Sequence, residues 1–292
     1  MPFLIQILSA PLNKKRRIKS VLTFFIWQAR SRMDKGDHTY CWIEGSRFHV
    51  RSGETSLTGN IYRGLMEFED MSFLLHFLRA EDKFVDIGAN SGSYTILASK
   101  VVGANSVSFE PLPATHARLF SNVQLNSIES KVVAKNMALG ETKGTINFTQ
   151  NLDSMNHVAT ASDADEDCIR VVISTVDAEI LEAPVLIKID VEGFETPVLS
   201  GSKNLLGNET LKAIIIELNG SGIKYGFSDL SISMTLKSFG FFPVSYSPLT
   251  RSLEPLLGSH NLSGNTIFIR DLDFVQKRVA EAKKFNIHNL EV

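Results

Sequence analysis

The sequence has 292 residues, enough for one large domain or for a domain of about 200 residues with an appendage. Hydrophobic residues make up 43% and charged residues 21%, a composition that is typical of a globular protein and excludes a disordered chain. The formal charge of −2 gives no overall attraction to phosphate backbones, so we expect no nucleic-acid partner.

The N-terminal segment differs from the rest of the chain in charge. Residues 1–35 carry +7 and contain one acid, Asp34, whereas the remainder carries −9. Because the apolar run Val21–Trp27 lies among the cations, the segment is predicted to form a basic amphipathic helix. We favour a helix that packs on the domain, and peripheral contact of residues 14–35 with an anionic membrane is the alternative. The cations are Lys14, Lys15, Arg16, Arg17, Lys19, Arg30, Arg32 and Lys35.

Three regions are predicted along the chain. Residues 1–58 form an N-terminal extension of helix and strand, residues 59–272 the main domain, and residues 273–292 a C-terminal helix. No stretch reaches the roughly 20 apolar residues that a membrane-spanning helix needs. Cys41 and Cys168 have neither metal-site nor redox spacing, so we expect free thiols in a reducing, cytoplasmic compartment.

Within the main domain, short apolar strands alternate with helices. This alternation predicts an α/β fold with a doubly wound, mostly parallel sheet that is covered on both faces. Residues 150–167 interrupt it with a polar, loop-like segment, and interruptions of this length are more often functional than accidental. The predicted strands are Phe84–Ile87, Val107–Phe109, Lys131–Lys135, Thr145–Phe148, Val185–Ile189, Ala213–Ile216, Phe242–Tyr246 and Thr266–Ile269, with helices over 92–101, 114–126, 195–206, 230–239 and 271–285.

A glycine-containing loop follows the first of these strands, in the sequence FVDIGANSGSYT (84–95). Gly88 and Gly92 relax the steric limits of a turn that, in a doubly wound sheet, lies beside the cofactor crevice. A dinucleotide-binding loop needs glycine where Asn90 stands. Asp86 would repel a pyrophosphate and attract a cation, so the charges favour S-adenosylmethionine (SAM), which carries a sulfonium and an ammonium group.

Glu110 ends the next strand, 18 residues after Gly92. An acid at this place can accept hydrogen bonds from both hydroxyls of a ribose. Pro111 follows it, and Leu112 is placed to cover one face of an adenine. The loop and this acid, in this order and at this spacing, together predict a SAM site.

These residues resemble the FkbM family of class I methyltransferases. The resemblance runs from about residue 60 to residue 270 and implies a Rossmann-like sheet of seven strands and methyl transfer to oxygen. It further implies that Asp86, Gly88, Asn90, Gly92 and Glu110 hold the cofactor, with Asn136, Met137 and Ala138 near the adenine. The resembling segments are 84–92, 109–111, 122–126, 138–140, 187–195 and 214–217.

The acceptor hydroxyl does not ionise at neutral pH, so its methylation needs a general base or a metal ion. Asp190 directly follows the predicted strand Val185–Ile189, beside the crevice, and Glu192 comes two residues later. We expect Asp190 or Glu192 to orient and deprotonate the hydroxyl, with His157 of the polar loop as a further candidate. In the alternative, which we do not favour, Asp190, Glu217 and Asn219 supply oxygen ligands to magnesium.

The sequence therefore predicts a SAM-dependent O-methyltransferase that acts on a sugar, a glycolipid or a secondary metabolite, with a small-molecule or glycan acceptor as its partner. Two other hypotheses stay open. One is N-methylation of a small molecule or peptide, although nitrogen-directed enzymes often carry an Asn/Asp-Pro-Pro-aromatic run where Asp190–Gly193 stands here. The other is a non-catalytic, cofactor-binding module docked at a membrane, which an intact cofactor loop argues against.

Overall fold

The structure is a computed structural model that describes residues 2–51, 54–150, 152, 155–163, 167–261 and 264–292. Its N-terminal segment contains the predicted basic helix, which lies against the helices before and after it. None of the helices that the structure describes is long and apolar enough to cross a membrane. The elements here are α1 (Pro2–Ser9), α2 (Arg17–Met33), β1 (His38–Cys41), β2 (Arg47–Val50), α3 (Thr55–Arg63) and α4 (Phe68–Phe77).

The main domain alternates strands and helices, as predicted. In chain order its elements are β3 (Lys83–Ile87), α5 (Ser93–Ile96), β4 (Asn105–Phe109), α6 (Pro113–Leu125), β5 (Val132–Lys135), β6 (Ala138–Leu139), β7 (Gly144–Thr149), β8 (Cys168–Ser174), α7 (Val176–Glu179), β9 (Leu186–Ile189), α8 (Glu195–Ser200), α9 (Lys203–Gly207), β10 (Ala213–Glu217), α10 (Asp229–Ser238), β11 (Phe242–Ser247), β12 (Ser252–Pro255) and β13 (Asn265–Ile269).

The central sheet has the strand order β12-β11-β13-β10-β9-β3-β4-β5. The strands from β10 to β5 in this row run parallel, whereas β13 is antiparallel to both of its neighbours. The doubly wound, mostly parallel α/β sheet is therefore confirmed. The chain winds outward from β3 through β4 and β5 and then crosses to β9, so the carboxyl ends of β3 and β9 flank the point where such sheets bind ligands.

Both faces of the central sheet are covered. On β10, Ile214 and Ile216 pack in one apolar cluster, and Ala213 and Ile215 pack in another on the opposite face. A parallel strand that is buried on both faces needs a continuous apolar sequence, which is why β10 reads Ala-Ile-Ile-Ile.

The sheet has eight strands rather than the seven that the family resemblance implies. The additional strand, β12, pairs antiparallel with β11 at the edge of the sheet. Leu253 is the one buried residue among its four, so the strand has no alternating apolar pattern from which to predict it.

A second sheet of three strands, in the order β6-β8-β7, carries the segment that interrupts the alternation. The expected strand near Thr145 is β7, and it pairs antiparallel with β8, which the sequence analysis did not predict. Between these two strands Val158 returns to pair with Phe148. Residues 151, 153–154 and 164–166 of the polar segment lie outside the described residues.

Two predicted helices end earlier than expected. The helix over 195–206 is broken at Gly201, where an added Cβ would lie 2.1 Å from the Gly140 carbonyl oxygen, and it forms α8 and α9. The prediction of a C-terminal helix over residues 273–292 is wrong beyond Ala280. There α11 (Leu272–Ala280) ends, and the hairpin of β14 (Asn286–Ile287) and β15 (Leu290–Glu291) follows. Positive φ angles of 54° at His288 and 65° at Asn289 make the turn of this hairpin.

Candidate active site

The loop after β3 closely approaches the end of β9. Gly88 has a φ of 79°, and a Cβ placed on it would lie 1.8 Å from the carbonyl oxygen of Asp190. Gly92 has a φ of 92°, and its Cβ would lie 2.6 Å from Leu119 Cδ1. Position 88 therefore requires glycine because of the neighbouring strand end, whereas at position 92 the left-handed φ is the main reason for glycine.

Asp86 and Glu110 are buried acids on either side of this loop. Asp86 accepts a hydrogen bond from Thr95 Oγ1 at 2.7 Å, and burial raises its pKa to about 6 in spite of the nearby Lys188 ammonium. Glu110 accepts from the backbone N–H groups of Asn90 and Leu112, both at 3.0 Å. Burial raises the pKa of Glu110 to about 7. Each of its carboxylate oxygens retains a lone pair for a further hydrogen bond.

A cavity of about 290 Å³ lies at the carboxyl ends of β3, β4, β9 and β10. Of the described residues that line it, six are acids and one, Lys188, is basic, so the field inside is negative once these acids are ionised. Such a field favours a bound cation over a phosphate. The acids are Glu67, Asp86, Glu110, Asp190, Glu192 and Glu217.

Three of these acids meet at one end of the cavity. Asp190, Glu192 and Glu217 each have a carboxylate oxygen within 4.8 Å of the others. Burial and the negative charge of Asp190 raise the pKa of Glu192 to about 7. Burial, followed by the charges of Asp190 and Glu192, raises the pKa of Glu217 well above its usual range. Glu192 and Glu217 therefore hold protons more strongly than ordinary carboxyl groups do.

Lys188 supplies the positive charge of this cluster. Its Nζ donates a hydrogen bond to Asp190 Oδ2 at 2.5 Å and lies 4.6 Å from the centroid of the Tyr94 ring. Burial by itself would lower the pKa of Lys188, but the charges of Asp190, Glu67 and Asp86 outweigh burial and raise it. Lys188 is therefore a permanent cation, and it forms an ion pair with Asp190.

The sequence model of the Methyltransferase FkbM domain matches residues 86–243, which contain the glycine loop after β3 and the ends of β4, β9 and β10. The chain belongs to the FkbM methyltransferase family. The resemblance seen in the sequence is thus confirmed, together with the enzyme class, a SAM-dependent methyltransferase.

The relatives of this FkbM methyltransferase include hexuronic acid methyltransferase AglP of Haloferax volcanii, which is 28% identical over 176 residues, 60% of this chain and 70% of AglP. Methyltransferase FkbM from Methylobacillus flagellatus KT aligns with a TM-score of 0.47 and 14% identity over 73% of this chain and 52% of its own, so the chain spans about half of that structure. M. jannaschii TYW2, solved in complex with AdoMet, aligns with a TM-score of 0.41 and 12% identity over 82% of this chain and 88% of its own.

Most of the residues predicted from the sequence of this FkbM methyltransferase meet in the one cavity. Gly92 and Asn136 are not among the lining residues, but both adjoin residues that are. Gly92 is the N-cap residue of α5, and Asn136 Nδ2 donates to the carbonyl oxygens of Glu110 and Pro111, both at 2.9 Å. Met137 also lines the cavity. The predicted residues that line it are Asp86, Gly88, Asn90, Glu110, Pro111, Ala138, Asp190 and Glu192.

The structure does not bring His157 into this cavity. Asn156 and Val158 on either side line it, whereas the His157 ring faces its own loop. Its Nδ1 lies 2.8 Å from the Met155 carbonyl oxygen and its Nε2 lies 3.3 Å from Asp163 Oδ1. Both ring nitrogens therefore have partners within the loop.

Asn219 and Glu195 also have partners outside the acidic cluster. Asn219 is exposed, and its Oδ1 accepts from the Ser221 N–H at 2.8 Å. Glu195 is buried and accepts from the N–H groups of Val191 and Gly193 at 3.1 and 3.2 Å. Glu195 thus fixes the turn that carries Glu192.

The sequence analysis missed the N-terminal contribution to the cavity. Glu67, just before α4, lines it, accepts from Tyr94 Oη at 2.7 Å and accepts from Asn265 Nδ2 at 3.0 Å. Met66 and Met71 line it as well. Nothing local in the sequence marks Glu67, because its partners come from α5 and β13, far along the chain.

Proposed function

We propose that the chain transfers the methyl group of SAM to a hydroxyl group of a sugar, a glycolipid or a secondary metabolite. The observation that carries the proposal is the cluster of Asp190, Glu192 and Glu217, which shares one cavity with the cofactor loop. A hydroxyl acceptor needs a proton acceptor beside the methyl donor, and this end of the cavity provides carboxylates for that purpose. The relative AglP, by its name, acts on a sugar acid.

The residues around the loop fit SAM. The buried carboxylate of Glu110 keeps free lone pairs that suit the two ribose hydroxyls, and Asp86 adds negative charge beside the loop. Leu112 and Met137 offer apolar surface for an adenine. SAM supplies a methyl group on a positively charged sulfur, which the negative lining of the cavity favours. In this proposal Gly88, Asn90, Gly92, Pro111, Asn136 and Ala138 form the remainder of the cofactor site.

Asp190 or Glu192 receives the proton of the acceptor hydroxyl. Lys188 holds Asp190 in one orientation, and the raised pKa of Glu192, about 7, matches a base that works near neutral pH. As the bond from the acceptor oxygen to the methyl carbon forms, the bond from sulfur to that carbon breaks, and the hydroxyl proton passes to the carboxylate. His157 has no part in this transfer and holds the loop instead.

Magnesium is the alternative to this metal-free proposal. Asp190, Glu192 and Glu217 could supply three oxygen ligands. The Lys188 ammonium already pairs with Asp190, however, so the cluster contains its own cation, which favours the metal-free form.

The experiment is methyl transfer from SAM carrying a ¹³C-labelled methyl group to a panel of neutral sugars, glycolipids and polyols, with product detection by NMR. We expect the label at the chemical shift of an O-methyl group. Asp190→Asn should lose at least about a hundredfold in kcat while binding SAM, and Glu254→Gln, an exposed acid of β12, is the matched control. A label on nitrogen, or full turnover by both Asp190→Asn and Glu192→Gln, would overturn the proposal.

A further inference from the structure

Helix α2 packs on the domain through one face. Ser20, Trp27 and Ser31 on this face are buried, with 0%, 9% and 4% of their surface exposed. Phe24 extends the same contact, because its ring packs against Tyr62 of α3 with 5.3 Å between centroids. The packing face of the helix is therefore made of small and aromatic side chains.

The opposite face of α2 is apolar and exposed. Ile18 is 79% exposed, Leu22 55%, Phe25 54% and Ile26 65%. Single exposed apolar side chains are ordinary on protein surfaces. These four, however, follow the spacing i, i+4, i+7 and i+8, which places them in one stripe about 100° wide on a helix. Met33, 88% exposed, continues the stripe to the end of the helix, so that it is about 22 Å long.

Cations flank this apolar stripe. Lys19 and Arg30 project on one side of it and Arg17 and Arg32 on the other, as their positions in a helix of 3.6 residues per turn require. None of the seven exposed cations of residues 14–35 forms an ion pair with any residue that the structure describes. Residues 1–33 contain no acid. The described part of the chain thus leaves the charge of this surface uncompensated.

We propose that α2 docks this methyltransferase on an anionic membrane, with the stripe of Ile18, Leu22, Phe25 and Ile26 in the bilayer interface and the flanking cations at lipid phosphates. An apolar stripe between rows of lysine and arginine is the pattern of helices that lie in the plane of a membrane surface. A nucleic acid would satisfy the cations but leave the stripe in water. Docking would hold the enzyme beside glycolipid acceptors.

The test is co-sedimentation of the full chain with vesicles of roughly 70% phosphatidylcholine and 30% phosphatidylserine. This proportion of phosphatidylserine gives the vesicles a negative surface charge similar to that of a cytoplasmic leaflet. Wild-type protein should bind these vesicles and not vesicles of phosphatidylcholine alone. The double variant Leu22→Ser/Phe25→Ser should lose at least about tenfold in vesicle affinity for each side chain removed. Arg30→Glu/Arg32→Glu should also lose binding, and the remaining binding should be less sensitive to salt.

The matched controls change similar side chains elsewhere. Leu230→Ser/Met234→Ser removes two exposed apolar residues of α10, and Lys203→Glu/Lys237→Glu reverses two exposed cations; both should bind vesicles as wild type does. Calorimetric SAM binding verifies that every variant is folded. The proposal is overturned if wild-type protein ignores anionic vesicles. It is also overturned if L22S/F25S instead converts a dimer to a monomer in sedimentation velocity, because the stripe would then bind a second copy of the chain.

Discussion

Lys188 Nζ lies 2.5 Å from Asp190 Oδ2, two residues further along the same strand end. The Lys188 side chain, which is 4% exposed, thereby forms an ion pair with the Asp190 side chain, which is 26% exposed. The pair fixes the direction of the Asp190 carboxylate within the cavity, and Asp190 is one of the two acids, with Glu192, to which we assign the acceptor proton.

Replacing Lys188 with methionine should therefore affect both stability and turnover. Lys188→Met leaves buried carboxylates without their cation, which lowers the free energy of unfolding. Because Asp190 is partly exposed and water can solvate it, we expect this loss to be limited to about 2 kcal/mol. We expect kcat to fall because Asp190 loses the partner that orients it. SAM should still bind, because the loss of Lys188 makes the cavity more negative and SAM is positively charged at sulfur. Urea unfolding and steady-state kinetics measure the two effects. If D190N costs as much kcat in the K188M background as in the wild type, the two residues do not act together.

Gly88 offers a test of the contact between the loop and β9. Gly88→Ala introduces a Cβ at 1.8 Å from the Asp190 carbonyl oxygen. Gly226→Ala is its control. Gly226 has nearly the same φ, 80°, but a Cβ added there has no atom within 4 Å. We expect about 1 kcal/mol of destabilisation for G226A and more than about 3 kcal/mol for G88A. Equal losses in the two variants would show that φ, and not the approach of β9, requires glycine at 88.

The convergence of the proposed cofactor residues on one cavity is the part that the sequence could predict. Gly88, Asn90 and Glu110 lie at the ends of adjacent parallel strands, so their order along the chain dictates their proximity in space. Asp190 follows the same logic, because β9 pairs with β3.

The remainder of the site depends on contacts that local sequence does not encode. Glu67 reaches the cavity through Tyr94 and Asn265, and its neighbouring residues show no pattern that points there. His157 lies in the polar loop as expected, but its ring is held by Asp163, six residues further on. Whether the His157 ring faces its loop or the cavity depends on tertiary packing. The strand β8, in contrast, does carry a local signal, because its β-branched residues Ile169, Val171, Val172 and Ile173 are typical of a strand, and the sequence analysis missed it.

The buried acids predict an unusual dependence of stability on pH. Burial raises the pKa values of Glu110, Glu192 and Glu195 to about 7 and that of Asp86 to about 6. The folded protein without cofactor therefore binds more protons than the unfolded chain. The stability that these groups contribute is fully present below their unfolded pKa values, near pH 4, and is lost as the pH rises through about 7.

We accordingly expect the Tm of the cofactor-free protein to fall between pH 6 and pH 8. A bound sulfonium cation favours the ionised acids, so SAM affinity should rise over the same interval and binding should release protons. Calorimetry in buffers of different ionisation enthalpy measures the released protons. Proton uptake on binding, or a Tm that rises from pH 6 to pH 8, would contradict this account of the acids.

The negative cavity also predicts which acceptors are preferred. Although the relative AglP is named for a hexuronic acid, we expect a neutral hexose to be methylated on oxygen here, in the presence of EDTA, with a kcat/KM at least about tenfold above that of the corresponding hexuronate. The reason is that the acceptor carboxylate would enter beside the Asp190 carboxylate. The measurement is competition between the two sugars for limiting SAM. Faster hexuronate turnover in EDTA would refute this charge argument, and hexuronate turnover that requires added magnesium would support the metal-bound alternative.

The most direct test of the central claim, that SAM lies in the crevice after β3 against Glu110, is a calorimetric titration of SAM into wild-type protein and Glu110→Gln. We predict one SAM per chain, bound about tenfold to a hundredfold more weakly by E110Q, because a charge-assisted acceptor for the ribose hydroxyls is lost. Glu129→Gln, an exposed acid beyond α6, should bind as wild type does. Equal SAM affinity in E110Q and wild type, or binding of NAD in place of SAM, would contradict the account.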